Sequence, residues 1–137
     1  MEGCILKKEQ YSLIYKVSFL SLGSCVYAIY NGQYMLSICP GGTFLTSINY
    51  WRKPDYSWRR YADITYVQCS LAYQVYRATR SQYMYQYYSL TLFAIYLFFL
   101  GVHYYKENKH WHSTYSHCGL HIFANIACVF LYSGKFT

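Results

Sequence analysis

Charged residues are scarce in this chain: Lys, Arg, Asp and Glu make up 12% of its 137 residues, about half the share in a soluble domain. Only five residues are acidic, against twelve basic ones. Apolar residues make up 55% and aromatic residues 23%, and tyrosine occurs 20 times. Because tyrosine rings favour the membrane interface, this composition is typical of integral membrane proteins. It argues against a soluble globular domain.

The sequence also lacks Cys-x-x-Cys pairs, internal repeats and low-complexity linkers. Five of its six cysteines fall in apolar stretches, so we expect small buried side chains and neither disulfides nor zinc–thiolate sites. Cys4 lies beside the first stretch and is a candidate for acylation. Without a linker, residues 1–137 are predicted to form a single integral-membrane domain.

Five apolar stretches predict an all-α, multi-pass bundle of transmembrane helices. The clearest runs from residue 87 to 105, with tyrosine pairs at both ends and no formal charge apart from His103. At about 1.5 Å per residue, this stretch spans roughly the 30 Å hydrocarbon layer of a bilayer. Lys16 lies in the first turns of the first stretch, from which it could reach the headgroups. The five predicted spans are about 12–30, 34–51, 61–76, 87–105 and 112–132.

The second stretch carries Pro40, Gly41 and Gly42 in its middle, which predicts a kinked or locally unwound helix. A membrane tolerates such a break only where neighbouring helices satisfy the freed backbone groups. The third and fifth stretches contain polar residues, and they are expected to span only if other helices shelter them.

The distribution of basic residues supports five spans with a cytoplasmic N-terminus. One side receives eight basic residues and the other receives three, as the positive-inside rule requires. Four spans stay open, because Lys7 and Lys8 before an apolar run are also typical of a cleavable signal peptide. The eight are Lys7, Lys8, Arg52, Lys53, Arg59, Arg60, Lys106 and Lys109, and the three are Arg77, Arg80 and Lys135.

A net charge of +7 is typical of nucleic-acid-binding proteins. In this chain, however, the basic residues lie in short loops beside the predicted spans and form no continuous face. Attraction to anionic lipid explains them better. We therefore expect a lipid bilayer as partner and no nucleic acid.

Four polar residues share the leaflet on the basic side in the five-span topology: Ser47, Asp63, His117 and His121. The two histidines are one helical turn apart, and His-x-x-x-His on a helix can present two imidazoles to one metal ion. With Asp63 and Ser47 from neighbouring helices they would form a zinc site that activates water for hydrolysis. Structural roles are the alternative. Asp63 could join two helices by a hydrogen bond, cap a helix, or pair with Arg59 or Arg60. The histidines could form a solvated or proton-binding cluster.

The order of these residues resembles that of the ceramidase-like membrane hydrolases, the CREST superfamily. The matching pieces are LTSINYWRKPDYSWRRYADI and HCGLHIFAN, about half of the chain. The resemblance implies a zinc ion held by His117 and His121, Asp63 orienting or deprotonating a bound water, Ser47 donating to the site, and a lipid amide or ester as substrate.

The chain departs from that family at Trp51, where the family has a third histidine one turn after the serine. The family also has seven helices. Either His112 or His103 would supply the missing ligand, or the site is vestigial. The segments YWRKP and WRR are also similar to small multi-pass proteins of large DNA viruses, so an endoplasmic-reticulum or viral membrane is expected.

Two functions of other classes stay open. The abundance of aromatic residues and the loss of the expected histidine favour a non-catalytic structural or assembly subunit of a viral or organellar membrane. The histidines between residues 103 and 121 could instead serve a proton or metal conduit, because imidazoles change charge near neutral pH.

Overall fold

The computed structural model describes residues 6–136, and the acylation candidate Cys4 lies outside them. The described chain is all-α, as predicted, and its only β-pairing is an isolated antiparallel bridge between Ser81 and Phe136. Its helices are α1 (Lys8–Val17), α2 (Leu20–Tyr30), α3 (Tyr34–Trp51), α4 (Trp58–Ala78), α5 (Met84–Lys106) and α6 (His110–Ser133).

The first apolar stretch forms one helical segment, Lys8–Tyr30, as predicted, and a local irregularity at Ser18 and Phe19 divides it into α1 and α2. Ser18 is buried at this irregularity, and its hydroxyl donates to the carbonyl of Ile14 at 2.9 Å. Its carbonyl accepts from the amide of Ser21, three residues on, at 3.1 Å. Such hydrogen bonds compete with the regular helical ladder and tighten it locally.

The local unwinding expected around Pro40 is absent, because α3 is one uninterrupted helix with the proline inside it. Proline removes a single amide donor, and the rest of the ladder continues on both sides. The neighbouring α4 adds a donor here, since the hydroxyl of Tyr66 binds the carbonyl of Ile38 at 2.6 Å. The predicted unwinding was wrong, and the bond from Tyr66 to Ile38 does not replace the donor that Pro40 fails to supply to the carbonyl of Leu36.

Two clusters of buried side chains lie at opposite ends of the bundle. The α3–α4 and α5–α6 loops lie at one end of the bundle, which we call the basic end. The cluster there comprises Leu6, Tyr11, Ile14, Tyr50, Trp51 and Cys118. The cluster at the other end, called the distal end, comprises Ala28, Leu36, Ala78, Tyr87, Ala127, Cys128, Leu131 and Tyr132. Between them α5 packs along α6, α3 packs between α2 and α4, and α1 lies against α6.

Within residues 6–136, three helical segments are long and apolar enough to cross a membrane: Lys8–Tyr30, Met84–Lys106 and His110–Ser133. Only 22% of the apolar window of Met84–Lys106 is buried, and Phe99 is 64% exposed. Exposure of so much apolar surface is unfavourable in water and favourable in the lipid of a membrane. The structure is thus compatible with an integral membrane protein. The helices α3 and α4 are less apolar, so five spans remain a prediction.

The cysteines follow the predicted burial with one exception. Cys39, Cys118 and Cys128 are buried and Cys25 is partly buried, but Cys69 is exposed on α4. All five are free thiols.

Candidate functional site

Asp63 binds α3 through two hydroxyl groups. Its Oδ1 accepts hydrogen bonds from Oγ of Ser47 at 3.1 Å and from Oγ1 of Thr46 at 2.9 Å. The structure therefore brings Ser47 and Asp63 together, as the sequence predicts. Two alternatives for Asp63 were wrong, since Ser57 occupies the N-cap position of α4 and Arg59 pairs with Asp55. The third alternative, a hydrogen bond that joins two helices, describes the contacts that Asp63 makes. Sequence reasoning missed Thr46, although a hydroxyl beside Ser47 was the available signal.

The two histidines of α6 lie against each other. The ring centroids of His117 and His121 are 4.9 Å apart, with 62° between the ring planes. His121 is buried, and its Nε2 has no hydrogen-bond partner in the described part of the chain. A buried polar nitrogen without a partner is costly, so a hydrogen-bond donor or another ligand at this nitrogen would be stabilising.

Trp51 links these histidines to α3. Its ring lies 4.9 Å from that of His117, centroid to centroid, with 57° between the planes. Trp51 is one helical turn after Ser47, so one face of α3 carries both the partner of Asp63 and the partner of His117. The indole is 94% buried, since its exposed fraction is 6%, and its Nε1 also lacks a partner among residues 6–136.

The remaining histidines do not complete a metal site. His112 is exposed and packs on the ring of Tyr104 at 5.2 Å, while His103 pairs with Glu107 at 3.3 Å. Among residues 6–136, no three His, Cys, Asp or Glu side chains are grouped closely enough to hold a metal ion.

These residues do not fit the catalytic zinc that the resemblance implies. Catalytic zinc sites in proteins use three protein ligands and leave a fourth position open. The described residues offer the two imidazoles of His117 and His121. Trp51 stands at the third position, and its indole packs on His117 as an aromatic ring that cannot act as a zinc ligand.

A second polar cluster, which sequence reasoning missed, lies near the distal end and centres on the buried Gln74. Its Nε2 donates to the hydroxyl of Tyr132 at 2.8 Å, and its Oε1 accepts from the hydroxyl of Tyr87 at 3.1 Å. The thiol of Cys128 lies 3.5 Å from the same oxygen. An amide inside a predicted span was the signal that could have revealed it.

The α3–α4 loop at the basic end is held by Arg59. Its guanidinium donates to the carbonyls of Asn49 and Lys53, both at 2.8 Å, and pairs with Asp55 at 3.1 Å. Hydrogen bonding from Ser57 lowers the pKa of Asp55 below its ordinary value, so this carboxylate stays ionised at neutral pH.

Comparison of the chain with models of protein families, with curated proteins and with solved structures finds no match. The resemblance to ceramidase-like hydrolases and to viral membrane proteins therefore stays a prediction that rests on the residues themselves.

Proposed function

We propose that this chain is a small, ceramidase-like multi-pass membrane protein whose hydrolase site is vestigial. The observation that carries the proposal is the contact of Trp51 with His117. An indole takes the place of the third imidazole and packs on one of the two that remain. We propose an endoplasmic-reticulum or viral membrane as its location, with the N-terminus in the cytoplasm.

In this proposal the former catalytic residues join helices. Ser47 and Asp63 tie α3 to α4 by a hydrogen bond, and Trp51 and His117 tie α3 to α6 by ring contact. Interhelical hydrogen bonds and close packing stabilise membrane bundles, where the hydrophobic effect between helices is weak. The residues would thus be kept for assembly of the bundle after loss of the metal.

The test is the zinc content of the detergent-purified protein, measured by mass spectrometry in the native chain and in Trp51→His. We expect the native chain to hold little zinc. Trp51→His should gain about one zinc ion per chain, because it restores three imidazoles at the expected positions. The matched control is Trp58→His, which places a histidine at an exposed position outside the cluster.

Two outcomes would contradict the proposal. About one zinc per chain in the native protein, lost in His117→Ala/His121→Ala, would indicate a working metal site and justify assays on lipid amides and esters. A Trp51→His protein that folds but binds no more zinc than Trp58→His would contradict the proposed ceramidase-like arrangement of the site.

A second candidate function, a non-catalytic assembly subunit, is favoured by the outer face of α4. Thr65, Gln68 and Cys69 are exposed there, on a helix in the middle of the chain. A glutamine amide facing lipid is unfavourable unless another polar group binds it. A second copy of this chain would satisfy it, because an amide both donates and accepts.

Self-association in detergent, followed by crosslinking and analytical ultracentrifugation, tests this candidate. Gln68→Leu should shift the protein to monomer, while Gln86→Leu, which alters an exposed glutamine on α5, should not. A native protein that is monomeric at every concentration would contradict self-assembly.

A further inference from the structure

Arg60 lies among four tyrosines at the basic end. Its Cζ is 5.2 Å from the ring centroid of Tyr56 and 5.9 Å from that of Tyr61. Its charge also acts on the hydroxyl groups of Tyr50 and Tyr105, which come from α3 and α5. The guanidinium therefore lies near tyrosines from α3, the α3–α4 loop, α4 and α5.

The charge of Arg60 has no carboxylate partner in the described part of the chain. The ion pairs at this end are Asp55 with Arg59, and Glu107 with His103 and Lys109. The nearby Asp63 is bound to α3 hydroxyls. Arg59 holds the loop in place, whereas the adjacent Arg60 is only partly buried and its charge is not neutralised.

Tyr50 provides a second, independent sign of a ligand. Its side chain is 96% buried, since its exposed fraction is 4%, and its hydroxyl lies beside the Arg60 guanidinium without a hydrogen bond of good geometry to any group within residues 6–136. A buried hydroxyl without a partner is costly, and this one lies beside a cation. A ligand that accepts hydrogen bonds from both groups would satisfy them together.

We propose that Arg60 and the hydroxyl of Tyr50 form a binding site for the phosphate group of a lipid, with Tyr56 and Tyr105 beside it. A guanidinium binds phosphate oxygens through paired N–H donors, and a phenol adds a further donor. The exposed rings of Tyr56 and Tyr61 are suited to the membrane interface, where lipid phosphates lie. This site is separate from the histidine cluster and does not depend on the proposed function.

Native mass spectrometry of the detergent-purified protein tests the site, with short-chain phosphatidic acid as probe and phosphatidylcholine and inorganic phosphate as comparisons. We expect the native chain to retain phosphatidic acid. Arg60→Gln should weaken its binding by about tenfold or more, because it removes a charge-assisted pair of hydrogen bonds. Tyr50→Phe, which keeps the ring, should weaken binding by a smaller factor.

Arg52→Gln is the matched control, because it removes one exposed charge from the same end of the bundle. An equal loss of phosphatidic acid binding in Arg52→Gln and Arg60→Gln would overturn the proposal. It would show that basic residues attract anionic lipid without a specific site. Unchanged binding in Arg60→Gln, with native helical content by circular dichroism, would overturn the proposal. Displacement of phosphatidic acid by millimolar inorganic phosphate would assign the site to free phosphate and overturn its assignment to lipid.

Discussion

Gly42 illustrates how a single missing side chain sets the distance between two helices. A Cβ at this position would overlap the hydroxyl group and ring of Tyr66, whose hydroxyl binds α3. Gly42→Ala should therefore destabilise the protein by about 1–3 kcal/mol, as overpacking does. Unfolding in detergent, followed by circular dichroism, measures the change. Gly23→Ala is the control, since a Cβ there meets nothing within 4 Å, and equal stability of both variants would contradict the prediction.

Arg59 and Arg60 are neighbours in sequence with different expected roles. Arg59 is buried and satisfies two backbone carbonyls in addition to Asp55. Arg59→Gln should lower the free energy of unfolding by roughly 2–3 kcal/mol, because buried acceptors lose their donor. Arg60→Gln should leave it within about 0.5 kcal/mol of the native value. Thermal unfolding of both variants in the same detergent provides the comparison, and similar losses in the two would refute the assignment.

At the scale of helices, Gln74 joins α4 to α5 and α6 near the distal end. Gln74→Leu removes the partner of two buried hydroxyl groups, those of Tyr87 and Tyr132. We expect a loss of about 1–2 kcal/mol, toward the upper range measured for hydrogen bonds between membrane helices. Denaturant titration measures it, with Gln86→Leu as an exposed control. A stability loss no larger than that of the control would show that the cluster contributes little.

The helices themselves were predictable because apolar stretches of sufficient length leave few other structures in a membrane. The positions at which the helices are interrupted were not predictable from the sequence. The sequence predicts a break at Pro40, where α3 continues, and none at Ser18, where α1 and α2 separate. Particular side-chain hydrogen bonds lie near both places: Ser18 binds its own helix, and Tyr66 reaches α3 from α4. Hydropathy carries no information about either contact.

At the scale of the whole molecule, helical spacing and loop order sufficed to predict two contacts of the candidate site. Ser47 meets Asp63 because α3 and α4 are joined by a short loop, and His117 meets His121 because they are one turn apart. The contact of Trp51 with His117 depends on how α3 packs against α6, which no local pattern encodes. The polar surroundings of Gln74 and Arg60 depend in the same way on the assembled bundle.

The arrangement of the loops predicts which parts of the chain share a side of the membrane. The α3–α4 loop meets the end of α5 through Tyr56 and Tyr105, whereas at the distal end the backbone N–H of Gln82 donates to the carbonyl of Lys135 at 2.9 Å. If α4 crosses the membrane, Lys53 and Lys109 lie on one side and Arg80 lies on the other. From the excess of basic residues at the basic end, we predict by the positive-inside rule that this side faces the cytoplasm.

Accessibility of single cysteines tests this topology in sealed vesicles, after the native cysteines have been replaced. Lys53→Cys and Lys109→Cys should react equally with a membrane-impermeant maleimide, and Arg80→Cys should show the opposite accessibility. Labelling after permeabilisation controls for reactivity. Equal accessibility of all three positions would mean that α4 does not span, and the polar face with Gln68 would then lie at the membrane surface. Opposite accessibility would place that face in lipid, where it requires a partner.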